Sequence, residues 1–87
     1  MDPNNTFEIK NIQSGEITRF ELSEIILNKK LKDILRPMLK GLKLKEKDVF
    51  LSIESGKMLG DYHLNLPLKM VIEQFGTRLN LYSETIL

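Results

Sequence analysis

Leu31, Ile34, Leu35, Met38, Leu39 and Leu42 recur at the three-and-four spacing of one helical stripe, which predicts an amphipathic helix over residues 28–41. On both sides of it the apolar period drops to two, the spacing of half-buried strands. Residues 6–12 alternate, with Phe7 and Ile9 toward one face and Glu8 and Lys10 toward the other. Residues 13–16 form a turn in which Gly15 supplies the positive φ of a tight hairpin. Residues 17–22 return with Phe20 and Leu22 inward and Arg19 and Glu21 outward. After the helix, residues 49–53 (VFLSI) predict a third strand with Val49, Leu51 and Ile53 toward the helix and Phe50 and Ser52 away from it. A short strand is expected at residues 62–66, ended by Pro67. Residues 67–76 carry Leu68, Val71, Ile72 and Phe75 at helical spacing and stop at Gly76. Residues 78–82 (RLNLY) form the last strand, Leu79 and Leu81 inward, Asn80 and Tyr82 outward.

Local chemistry refines the main helix. Asn28 is the expected N-cap, since its side-chain oxygen can accept a free N–H of the first turn. The lysines that follow oppose the helix dipole. Pro37 lacks an N–H and its ring crowds the carbonyl of Asp33, so a kink or an early end is expected, and the stripe continuing through Leu39 favours a kink. Gly41 suits the position after the helix.

The element order is β-β-α-β-β-(short helix)-β. With the first and last strands adjacent and parallel at the centre, every amphipathic face meets the one long helix. That is an α+β chain with a four- to five-stranded mixed sheet on one main helix, the ubiquitin-like β-grasp; the alternative is another α+β arrangement of two hairpins and a helix. One domain is expected over residues 6–83, with residues 1–5 (MDPNN) disordered and residues 84–87 a tail.

Composition narrows the class. A chain of 87 residues with 41% hydrophobic content supports one core, and with no cysteine it has neither disulfides nor thiolate metal ligands. It holds no 18-residue apolar run, and its first ten residues lack the basic and apolar regions of a signal peptide, so a cytoplasmic or nuclear protein is expected. The net charge is only +1, yet it is unevenly spread. Residues 1–28 carry two basic and five acidic side chains, whereas residues 29–48 carry eight basic against three acidic. The helix should therefore present a basic side, either as a solvated face or as a docking surface for an acidic partner.

The hairpin TFEIKNIQSGEITRFEL, the central helix, the turn SGKMLGDY and the closing segment PLKMVIEQFGTRLNLY together resemble the ubiquitin-like superfamily across roughly residues 6–83. The resemblance implies a domain that binds other proteins, as do integral ubiquitin-like domains, Ras-binding domains and the first lobes of FERM domains. Conjugated modifiers end in Gly-Gly, while this sequence ends SETIL, so a non-conjugating type is expected.

Two surfaces emerge. On the sheet face turned from the helix, Lys10, Phe50, Ser52, Asn80 and Tyr82 are expected neighbours, with Ile12 at the hairpin rim. Ubiquitin-like domains often bind partners there, which implies an adaptor with a ubiquitin-system or signalling partner. A one-residue slip of the third strand would instead put Phe50 in the core. The alternative surface joins the second strand and the basic helix through Arg19, Lys29, Lys30, Lys32 and Arg36, as in Ras-binding domains that pair that strand with a small GTPase. Near-neutral charge and no aromatics among the lysines argue against nucleic acid or anionic lipid. The final residues ETIL also match the Thr-x-apolar form captured by PDZ domains. A lone histidine, His63, and no phosphate-cradling loop leave no catalytic cluster, so no enzyme activity, metal or cofactor is expected, and oligomeric state stays open.

Overall fold

The computed structural model describes residues 5–83. The expectations for residues 1–4 and for the tail at 84–87, including its PDZ-type ending, lie outside the described residues. Five strands and four helices follow in the order β1 (Thr6–Asn11), β2 (Ile17–Glu21), α1 (Glu24–Leu27), α2 (Leu31–Gly41), β3 (Val49–Ser52), β4 (Met58–Leu59), α3 (Asp61–Leu64), α4 (Leu68–Phe75) and β5 (Arg78–Ser83), with a 3₁₀ turn at Glu46–Asp48. The sheet order is β2-β1-β5-β3-β4. β1 and β5 run parallel at its centre and the other pairs are antiparallel. This mixed α+β arrangement is compatible with a β-grasp.

The core forms where the period-two and period-3.6 faces meet. Phe7, Ile9, Leu51, Leu79 and Leu81 project from the sheet onto Leu31, Ile34, Leu35 and Leu39 of α2, and Leu68 and Val71 of α4 close one side. Leu51 is buried and Phe50 exposed, so β3 has the expected register and Phe50 is not a core residue.

Pro37 does not end the helix, and α2 runs past it to Gly41. Asp33 and Pro37 both lie on the solvent side, where water can satisfy the freed carbonyl, while Ile34, Leu35 and Leu39 hold the helix to the sheet. The start of α2 differs from the sequence expectation. Residues 24–27 form a separate turn, α1, because the Ser23 hydroxyl accepts the Ile26 N–H at 3.3 Å. Asn28 closes that turn instead of opening α2, its side-chain amide donating to the Glu24 carbonyl at 2.8 Å. Lys29 and Lys30 consequently precede α2, while Asp33 sits in its first turn and Lys40 in its last, which suits the helix dipole. At the other end, Gly41 is the last helical residue and the positive φ falls on Lys43.

The strand expected at residues 62–66 is absent. Pairing with β3 ends after Leu59, and the chain enters α3 through the extended Gly60, whose N–H donates to His63 Nδ1 at 3.0 Å. Asn65 closes α3 by donating to the Asp61 carbonyl at 2.9 Å. The two helix junctions are stitched together: Leu31 N–H donates to the Leu66 carbonyl at 3.0 Å and Leu68 N–H to the Lys29 carbonyl at 2.8 Å. Among the described residues no helix is long and apolar enough to cross a membrane.

Candidate protein-binding face of the sheet

Strand registers set out the outer face row by row. Glu8 lies opposite Arg19 on β2 and Arg78 on β5, and Arg78 reaches on to Glu54. Glu8 accepts from Arg19 at 2.9 Å and pairs with Arg78 at 3.4 Å, so this end carries a ladder of alternating charge. In the next row Ile17, Lys10, Asn80, Ser52 and Met58 follow one another across the sheet. The last row is apolar. Phe50 lies directly opposite Tyr82, and the Ile12 N–H bonds the Leu81 carbonyl, which continues the β1–β5 register and sets Ile12 beside Tyr82.

Ile12, Ile17, Phe50, Met58 and Tyr82 each leave 36–50% of their surface to solvent. The apolar end thus sets Phe50, Tyr82 and Ile12 side by side, while Ile17 and Met58 stand at the two edges of the row before it with Lys10 and Asn80 between them, and these are side-chain types that anchor protein interfaces. Hairpin chemistry braces this end. The buried Asn11 carboxamide accepts the Gln13 N–H at 3.0 Å, Gly15 takes φ 78°, and the Gln13 side-chain amide donates to the Ser83 carbonyl at 3.1 Å. The Ser83 hydroxyl donates back to Gln13 Oε1. The turn is thereby tied to the end of β5 beside Tyr82.

Five of the six residues singled out from alternation, Lys10, Ile12, Phe50, Asn80 and Tyr82, come together on this face with surface to offer. Ser52 does not. It stands in the same row, between Asn80 and Met58, but is fully buried, and its hydroxyl has no hydrogen-bond partner among the described residues. Ser52→Ala is expected to leave stability unchanged or to raise it by about 1 kcal/mol, because an unpaired buried hydroxyl is removed. Urea unfolding measures this; a clear loss would show that the hydroxyl is bonded. Ile17 and Met58 were missed, although each is an apolar residue at an outward strand position.

The second set of residues is dispersed. Arg19 lies on β2, engaged with Glu8. Lys29 and Lys30 sit at the seam with Pro67 and Leu68. Lys32 and Arg36 line an open cleft of about 550 Å³ between α2 and β3, together with Leu35, Leu39, Phe50 and Leu64. Arg36 is further engaged by Glu46 at 2.9 Å and Asp33 at 3.4 Å. Since β1 and β5 separate β2 from β3, the structure does not bring Lys32 and Arg36 to the β2 edge. His63 packs edge-on against Tyr62 and Phe75, with ring centroids 5.6 and 5.1 Å away. Among the described residues no group of three His, Cys, Asp or Glu is placed to hold a metal ion.

The class defined by this architecture is a small α+β domain with a five-stranded mixed sheet, one face covered by helices and the other open. No protein-family model matches the sequence, and a search of curated proteins finds no match.

Proposed function

We propose that this chain is a ubiquitin-like β-grasp domain that does no chemistry and binds another protein through the outer face of its sheet, as an adaptor module. The observation that carries the reading is the exposed row of Phe50, Tyr82 and Ile12 on that face, flanked by exposed Ile17 and Met58 on the two edge strands. The strand order with parallel β1 and β5 supports the β-grasp part. Aromatic and methionine side chains provide the contact area, and the Glu8–Arg19–Arg78 ladder fixes orientation at the rim. A second reading, a small GTPase paired along β2, draws support from the outer edge of that strand, which no other strand covers among the described residues.

A photo-reactive benzoylphenylalanine at position 50 tests the proposal while keeping an aromatic there. It is expected to cross-link a protein partner that the same residue at Lys40, on the exposed side of α2, leaves untouched. A partner cross-linked from position 40 and never from position 50 contradicts it.

A further inference from the structure

We infer that β2 is a self-pairing edge, by which two copies of this chain join in antiparallel fashion into one continuous sheet. This surface is distinct from the outer-face cluster and does not depend on it. Across β1 and β2 the Asn11 N–H bonds the Glu16 carbonyl and the Leu22 N–H bonds the Asn5 carbonyl. Antiparallel alternation then turns the main-chain groups of Thr18 and Phe20 toward β1 and those of Ile17, Arg19 and Glu21 outward. Among the described residues β2 ends the sheet, so three residues in extended conformation present donors and acceptors that no described strand pairs along its outer edge.

Side chains select the occupant. Arg19 and Glu21 lie on the same face, and Glu21 forms no ion pair among the described residues. If a second copy approaches about a two-fold axis at Phe20, Arg19 falls opposite the partner's Glu21, and Glu21 opposite the partner's Arg19. Two ion pairs form at once. Sliding the partner by two residues either way sets Arg19 against the partner's Arg19, or Glu21 against the partner's Glu21, so charge admits one register of the three. Arg19, which Glu8 holds at 2.9 Å, exchanges or shares that partner with the second copy's Glu21, and Glu8 keeps Arg78 at 3.4 Å. On the inner face the half-buried Phe20, already packed on Phe7 at 6.3 Å between ring centroids, meets the partner's Phe20 and loses its remaining exposure. The alternating sequence Arg-Phe-Glu is thus complementary to itself in reverse.

An edge-to-edge contact of this size makes a weak dimer, so sedimentation equilibrium from about 10 µM to about 1 mM is the appropriate range. The wild type is expected to dimerise within it. Glu21→Arg is expected to weaken the dimer by about tenfold or more, because each Arg19 then faces an arginine. Adding Arg19→Glu to Glu21→Arg restores opposite charges in the same register and is expected to recover dimerisation. Circular dichroism and urea midpoints confirm that each variant is folded. Amide hydrogen exchange supplies a separate readout: the N–H groups of Arg19 and Glu21 become protected as concentration rises, while those of Thr18 and Phe20 are protected throughout. A chain that stays monomeric at about 1 mM, a double swap that fails to recover the dimer, or concentration-dependent protection on β3–β4 in place of β2 overturns the inference and leaves the outer-face reading intact.

Discussion

Phe7→Ala is expected to cost about 3–5 kcal/mol of unfolding free energy, the largest single-residue loss in this domain. Phe7 is fully buried on β1, the strand that contacts both β2 and β5, and it faces the helical layer while packing against Phe20. Truncation removes the transfer energy of the ring and leaves a cavity bordered by two paired strands, which cannot close without breaking the ladder. A domain of this length has on the order of 4–13 kcal/mol in all, so the variant should lie close to its unfolding threshold. Urea unfolding measures it, with Phe50→Ala beside it. Because Phe50 is 41% exposed, its truncation should cost about 1 kcal/mol or less. Equal losses at the two positions would mean that β3 is out of register.

The contrast between those two phenylalanines was visible in the sequence, since strand alternation assigns each to a face. Long periodic segments carry such signals repeatedly: α2 shows its stripe over eleven residues and β1 and β5 alternate over six each. Short elements do not. α1 and α3 have four residues apiece, too few for a period, and each is specified by its ends. Ser23 and Asn28 bracket the first, while Gly60, His63 and Asn65 bracket the second. The same Asn28 serves equally well before a helix or after one, and only the following Lys30, held extended by its bridge to Pro67, decides between them.

The candidate site was legible to the extent that it rests on alternation within a strand. What neighbouring strands do to a residue is not encoded locally. Ser52 is outward by its position yet fully buried, and its neighbours Asn80 and Met58 are residues that only the register brings beside it. The run of basic residues at 29–48 illustrates the same limit. Contiguous in sequence, its side chains are distributed by a helix and two turns among a seam, a cleft and solvent, with Arg36 neutralised by Asp33 and Glu46.

Loss of the outer-face cluster is the second large expected effect. Phe50→Lys combined with Tyr82→Glu removes both aromatics yet sets opposite charges directly across β3 and β5, which supports the strand pair. Stability should stay within about 1 kcal/mol of wild type. Affinity for a partner bound at the proposed face should fall by about 100-fold or more, because that face loses its two aromatic anchors. Lys40→Glu, on the far side of the molecule, should leave affinity within about twofold. Calorimetric titration of the purified partner into these variants tests the central claim most directly. The account predicts a folded double variant that no longer binds; a folded double variant that binds as tightly as the wild type would contradict it.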